Sequence, residues 1–342
     1  MPTQIRPALL DSDEAVITDL LKRHLEPTAD HKRFRWLYRD SPHGEARAWL
    51  ACDSQGNAVG LAAAFPRRMR VRGVEKRNWV LGDFCLDEQY RSLGPALQLQ
   101  KACLSLVPEA SGEFCYDFPS AGMMAIYRRL GIRFESEVIR WVMPIRAERK
   151  LERLFRSKKL ARYVGPAANF VLSRRGRKRD SAYDMGVHER AFGEEFNVLD
   201  QALRNRQGIC TIRNADYLNW RYLAHPTRAH EVLTARSAGE LAGYIVFDCQ
   251  GENANIIDIC SVDEPKAITS LLAAAVDLVR KRGADNMNLC AAAEHPWQAI
   301  FERCGFLPRE ASPLVVFASS QIVNETFKGP ANWYLMQGER DS

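Results

Sequence analysis

The stretch "GDFCLDEQYRSLGPALQLQKA" (residues 82–102) decides how this chain is read. Its opening residues close an apolar run, "WVLGDFCL" (79–86), with the composition of a strand, and its second half reads as a helix. Between them lies an acidic turn followed by Arg91, Gly94 and Ala96. A glycine-bearing turn at a helix start exposes backbone N–H groups where the helix dipole is positive, so the place favours an anion. Gly94 lets a ligand approach the backbone closely, Ala96 is small for the same reason, and Arg91 adds a positive charge. A diphosphate suits such a cradle. Pro95 supplies no N–H, but a proline in the first helical turn costs the helix little.

Working outward, the chain repeats itself. "FRWLYRDSP" (34–42) and "LNWRYLAHP" (218–226) share Trp, Tyr and Pro at one offset. A strand pair with a glycine turn follows each, "ARAWLACDSQGNAVGLAAAF" (46–65) and "AHEVLTARSAGELAGYIVF" (229–247), with Gly60 and Gly243 in equivalent places. "GDFCLDE" (82–88) matches "IDICSVDE" (257–264), and "MAIYRRLGI" (124–132) matches "QAIFERCGF" (298–306). Four landmarks in one order at similar spacing indicate two copies of one domain. The second copy reads "VDEPKAITSL" (262–271) where the cradle belongs. It has no glycine there, and Asp263 and Glu264 would repel phosphate.

Periodicity predicts the elements of the first copy. "IRPAL" (5–9) is a short strand, and Ser12 or Asp13 caps a helix running through Leu25. A helix bearing Trp36 follows, then a hairpin turning near 54–57, a strand near 69–80 and the strand 79–86. A helix over about 94–107, the strand "GEFCYDF" (112–118), a helix over 120–130 and the strand "FESEVIRWVMPI" (134–145) complete it. The expected fold class is α/β, a mixed α+β sheet with helices against it.

The spacing Arg-x-x-Gly-x-Ala between strand and helix resembles the acyl-CoA signature of the GNAT N-acyltransferase superfamily. "FCYDFPSAGMMAIYRRLGI" (114–132) adds the strand, helix, tyrosine and glycine that follow it in that family. The duplicated layout is similar to tandem two-domain GNAT proteins. This resemblance implies an N-terminal catalytic GNAT domain over 1–145, a basic amphipathic linker over 146–195, and a degenerate C-terminal GNAT domain with a tail over 196–342. It implies acetyl-CoA or another acyl-CoA as donor, held by Arg91, Ser92, Leu93, Gly94 and Ala96. Phe84, Cys85 and Leu86 would offer backbone N–H groups to the thioester carbonyl, and Ser120 stands where the family often has asparagine. Tyr127 is then the candidate acid for the leaving thiolate; its counterpart Phe301 has no proton to donate. Asp83 is the candidate base, or the holder of the acceptor amine, with Asp117 a weaker alternative. Tyr127 also reads as a core aromatic and Asp83 as a polar residue at a strand bulge, the more so because Asp258 recurs where the cradle is lost. Trp36 and Tyr38 read as core packing, since Trp220 and Tyr222 repeat them. In some tandem relatives the tail enters the first active site, a route open to "ANWYLMQGERDS" (331–342).

The net charge of +6 is unevenly placed. Residues 146–179 hold thirteen Lys/Arg against Glu148 and Glu152, a net +11, so the remainder carries −5. This is no uniformly basic nucleic-acid binder. The basic segment reads as an amphipathic connecting helix, as a contact for an anionic surface, or as a dock for an acidic acyl carrier protein. The nine cysteines are scattered without C-x-x-C spacing, and the seven histidines form no H-E-x-x-H, so no metal is expected. No apolar run approaches the roughly 20 residues of a membrane span. The N-terminus does not read as a signal peptide, which gives the cytoplasm as the expected compartment. The expected function is acyl-CoA-dependent transfer of an acyl group, in the first instance acetyl, to an amine such as an amino sugar or another small amine. Two other readings stand beside it: a catalytically silent GNAT-fold binding protein, and an acyltransferase whose donor is an acyl carrier protein.

Overall fold

The computed structural model describes residues 3–107, 113–131, 134–147, 151, 180–205, 208–319, 322–327 and 333–340. All but Arg146, Ala147 and Leu151 of the basic segment 146–179 therefore lies outside the described residues. The first half runs β1 (Gln4–Pro7), α1 (Glu14–His24), α2 (His31–Phe34) with a π-helical turn (Arg35–Arg39), β2 (Arg47–Cys52), β3 (Ala58–Val71), β4 (Val74–Leu86), α3 (Leu93–Leu104), β5 (Phe114–Asp117), α4 (Ala121–Leu130) and β6 (Phe134–Pro144). The second runs β7 (Asp184–Val187), α5 (Glu194–Ala202), β8 (Ile209–Thr211), α6 (Ala215–Leu218) with its own π-helical turn (Asn219–Leu223), β9 (Glu231–Ser237), β10 (Glu240–Gln250), β11 (Asn253–Ser261), α7 (Lys266–Lys281), β12 (Asn286–Ala292), α8 (Gln298–Cys304) and β13 (Leu307–Ala318). The repeat read from the sequence is thus a repeat of structure, down to the irregular turn that carries each tryptophan.

Three local expectations change. The two strands expected over 69–80 and 79–86 belong to one long hairpin, β3 and β4, turned by Arg72 and Gly73 at positive φ. Asp13 precedes α1 without capping it, because its carboxylate is taken by Arg6 (2.7 and 2.9 Å) and the Leu9 N–H (2.8 Å). Strand β7 starts inside the stretch read as linker; it is four residues long and mostly exposed, so it shows no alternation to read.

The halves share one sheet, in the order β1-β2-β3-β4-β5-β13-β6-β12-β11-β10-β9-β7, with β8 paired to the end of β3. The order records an exchange. Strand β13, from the end of the second half, lies against β5 of the first, and β6, from the end of the first, lies against β12 of the second. The two exchanged strands pair with each other at the centre. Packing follows the exchange. Val315 and Phe317 of β13 join the core that α3 and α4 form on the first half, while Trp141 and Met143 of β6 join the core beneath α7 and α8. A third core on the opposite face spans both halves. At its centre the Trp36 Nε1–H donates to the Trp220 carbonyl (2.8 Å), the Trp220 Nε1–H donates to the Trp36 carbonyl (2.7 Å), and the rings stack at 5.2 Å. The repeated tryptophans fasten one half to the other.

Candidate functional site

Strands β4 and β5 run parallel but pair only at Trp79–Cys115 and Val80–Tyr116. Beyond Val80 they part. On its other edge β4 slips register against β3 between Leu61 and Ala63, and Asp83 takes a φ of 48°. This bulge leaves the end of β4 with backbone groups outside a regular ladder. The neighbouring strand lies very close here: a Cβ on Gly60 would come within 3.0 Å of the Cys85 carbonyl and run into Leu86. Gly243 faces Cys260 and Ser261 in the same way, which explains the repeated glycine.

A cavity of about 460 Å³ opens at the splay. Phe84, Cys85 and Leu86 form one wall, Arg91, Ser92, Leu93 and Ala96 the second, and Ser120 with Met123 and Ile126 of α4 the third. Ser92 precedes α3 in an extended conformation and makes no side-chain cap bond, so the first N–H groups of the helix keep their capacity for a ligand. Gly94 stands at this helix start, just outside the cavity lining. A Cβ there would meet no protein atom, so the fold itself does not require glycine at that position. The residues present fit a diphosphate with an apolar tail.

The sequence reading missed His24. It closes the cavity floor from the end of α1, and nothing near it in the chain marks it out. Its Nδ1 accepts from Arg91 (3.4 Å) and its Nε2–H donates to Asp87 (2.6 Å), while Arg91 Nε donates to the Leu86 carbonyl (3.0 Å). Arg91 is therefore held at the cradle rim by these two contacts and by an ion pair with Glu88 (3.8 Å). Cys85 is no candidate acyl carrier: burial and the neighbouring Asp83 push its thiol up to about 12.

The two candidate catalytic residues are placed differently. Tyr127 is buried in the α3/α4 core and does not line the cavity. Its hydroxyl donates to Asp117 and accepts from Gln100 Nε2 (3.2 Å), and its ring packs on Phe317 of the exchanged strand (5.0 Å). Burial and Asp117 hold the phenol well above its usual range, so it keeps its proton. Asp83 is also buried, with both carboxylate oxygens engaged by Arg33 (2.8 and 3.0 Å) and one of them by the Tyr38 hydroxyl (2.8 Å). Asp258 repeats the arrangement with Arg213 (2.9 Å) and Tyr222 (3.0 Å). The recurrence points to an anchor for each bulge. Asp83→Ala should lower the unfolding free energy by about 3 kcal/mol, the low end for breaking a buried ion pair, because Glu26 still meets Arg33. The kcat/KM profile should keep its acid limb. Intact stability in urea with a lost acid limb would mark Asp83 as a base instead.

A second cavity, about 350 Å³, adjoins the first through Leu25 and Phe84. Its walls come from both halves: Glu26, Arg33, Trp36 and Asp83 from one, His225 and Arg228 from the other. His225 Nδ1 accepts from the N–H groups of Thr227 (3.3 Å) and Arg228 (3.2 Å), which leaves the ring proton on Nε2. Burial and Arg221 hold this imidazole down to about 3. It stays neutral at ordinary pH.

The second half has the same splay, since β11 and β12 pair only over 253–256 and 286–289. There the segment 333–340 fills it. Met336 bridges Ala291, the Ala292 N–H donates to the Leu335 carbonyl (3.1 Å), and Glu339 reaches Arg213 beside Asp258. No described residue of this segment lines the first cavity. Asp263 and Glu264, in the place of the cradle, accept from Tyr183 and Trp297. The second copy is degenerate both in its cradle and in its splay. Among the described residues no cluster of His, Cys, Asp and Glu could hold a metal ion, and no helix is long and apolar enough to cross a membrane.

A scan of family models and a search of curated proteins give no match. Solved structures do share the fold. The chain is similar to a conserved Enterococcus faecalis V583 protein described as a probable N-acyltransferase, at 14% identity and a TM-score of 0.68 over 96% of this chain and 75% of that one. It is similar to a tandem GNAT protein from the clavulanic acid biosynthesis pathway, at 15% identity and a TM-score of 0.57 over 92% and 98%. A GCN5-related glucosamine N-acetyltransferase region in a fungal multi-domain β-N-acetylglucosaminidase matches at 11% identity and a TM-score of 0.54, over 93% of this chain and 38% of that one.

Proposed function

We propose that this chain, two GNAT folds in tandem of which only the first keeps its cradle, is an acyl-CoA-dependent N-acyltransferase acting on a small-molecule amine. One observation carries the reading: an uncapped helix start with a glycine that the fold does not require faces the end of a bulged strand across a cavity of ligand size. Acyl-CoA would supply the thioester whose acyl group is transferred. Leu93, Gly94 and Arg91 would hold its diphosphate, with Arg91 fixed by His24 and Leu86. The apolar walls at Phe84, Ala96, Met123 and Ile126 would take its uncharged arm, and backbone N–H groups at the bulge would polarise the thioester carbonyl. The amine would approach from the second cavity, since Phe84 and Leu25 line both. Asp83 shapes the bulge between them. Tyr127 would act through Asp117 as a positioning residue. The fungal glucosamine N-acetyltransferase neighbour lends support to an amino sugar as acceptor. The basic segment 146–179 we propose as the contact for an acidic carrier protein or anionic surface, which raised salt should weaken.

Calorimetric titration with CoA, acetyl-CoA and longer acyl-CoAs tests this reading. Binding is expected for the wild type, with affinity lost by more than about a hundredfold in Gly94→Glu, where a carboxylate would occupy the diphosphate position. Equal binding by the two proteins would remove the cradle from the mechanism. The engagement of both Asp83 and Tyr127 elsewhere favours one rival, a protein that binds acyl-CoA without turnover. Retained affinity with no transfer to any amine would establish it.

A further inference from the structure

A third cavity, about 320 Å³, lies on the second half. Arg228 lines both it and the cavity between the halves, so the lining runs from the acyl-donor site through Phe84 and Leu25 to Arg228 and onward. Its wall is one face of the sheet across β10, β11, β12 and β6. Phe247, Ile256, Leu289 and Trp141 point the other way, into the core beneath α7. Strand alternation therefore turns Asp248, Asn255, Asn288 and Arg140 toward the cavity.

These side chains form a hydrogen-bonded row. Arg140 donates to Asn288 Oδ1 (3.0 Å), Asn288 Nδ2 to Asn255 Oδ1 (3.1 Å), and Asn255 Nδ2 to Asp248 Oδ1 (2.7 Å). Gln250 Nε2 donates to the other Asp248 oxygen (3.0 Å). The row fixes the orientation of each group before any ligand arrives. It does not exhaust them. A carboxamide offers two N–H donors and two acceptor lone pairs, so Asn255 keeps one of each, and Asn288 and Gln250 keep acceptor capacity. Charge is balanced: Arg140 also pairs with Glu310 (2.7 Å), and Asp248 faces the same cavity as Arg228. A wall of oriented donors and acceptors with balanced charges is complementary to a row of hydroxyl groups, each of which both donates and accepts. It offers nothing to an acyl chain and no net charge to a polyanion.

We infer that this polar groove binds the hydroxylated body of the acceptor, an oligosaccharide whose amino sugar enters the cavity between the halves and presents its amine at Phe84. The inference rests on the N-acyltransferase reading for the amine but not for the groove itself. Calorimetric titration with a glucosamine trimer, without any acyl donor, tests it on the full chain. Expected is binding by the wild type that weakens about tenfold in Asn288→Leu, the effect of losing one or two hydrogen bonds to the ligand. Gln250→Ala, at the exposed rim, should weaken it severalfold and guards against misfolding of the first variant; thermal melts confirm both. With acetyl-CoA present, KM for the trimer should rise in both variants, while kcat and the KM for glucosamine monomer stay within about twofold. No binding of the trimer, or binding unchanged in both variants, overturns the groove. Loss of acyl-CoA binding with trimer binding intact would instead overturn the donor assignment and leave the groove standing.

Discussion

Residues 1–145 expressed alone should not fold. The sequence divides there, but the sheet does not. Strand β6 has two partners, β13 and β12, and both belong to the second half. Without them Trp141 and Met143, buried in the core beneath α7, have nothing to pack against. Strand β5 loses β13 along Phe114–Asp117, which opens a hydrogen-bonding edge in the middle of the sheet. The α3/α4 core loses Val315 and Phe317, and Phe317 is the ring against Tyr127. Each deficit is several buried side chains at about 1.5–3 kcal/mol apiece, against a total stability of about 5–15 kcal/mol. A flat far-UV spectrum with no cooperative urea transition is the expected result. Mixing with residues 180–342 should restore structure, because the exchanged strands then find their partners. A cooperative transition for 1–145 alone would show that the exchange adds to a fold already complete.

Replacing Arg213 by methionine should lower the unfolding free energy by about 3–5 kcal/mol, the cost of stranding a buried charge. Arg213 is 6% exposed and donates to Asp258 (2.9 and 3.1 Å), to Glu339, and to the carbonyl of Thr211 (3.1 Å). Its removal leaves two carboxylates together in the core. The same cluster sets a pH dependence. Burial pushes the Glu339 carboxyl up to about 7, with Arg213 opposing and Asp258 adding to the rise. A folded value above the unfolded one means that the folded state binds the proton more tightly. Its contribution is complete below the unfolded value, near 4.5, and is lost as pH rises through about 7. Urea unfolding at about pH 5 and about pH 8 should therefore show lower stability at the higher pH, and Glu339→Gln should flatten the difference. An unchanged difference in that variant would place the titrating group elsewhere.

The candidate donor site was largely legible in the sequence because it is local. Strand, turn and helix follow one another within 82–102, and the walls at 84–86 and 91–96 lie within that stretch. Ser120 and the helix after it were placed by the same order of elements. His24 was not, because its meaning is its distance to Arg91, and 67 residues separate them. Tyr127 and Asp83 were found but could not be oriented. Position in a motif does not say which side of a helix or strand faces a cavity: here packing on Phe317 turns Tyr127 away from open space, while Asp83 lines the second cavity with both oxygens held by Arg33.

The sequence by itself determined the duplication, most of the strand and helix order of the first copy, and which copy has a glycine-bearing turn at its helix start. These depend on residue type and spacing along the chain, and spacing survives into the fold. Only the tertiary structure decided that the halves trade their last strands, that 333–340 fills the second splay, and that a hydrogen-bonded polar row crosses β10, β11, β12 and β6. Each of these is a choice among partners of similar chemistry far apart in the chain. A strand such as β6 or β13 carries no mark of which edge it will join; the two cores that take in Trp141 and Met143 on one half and Val315 and Phe317 on the other make that choice.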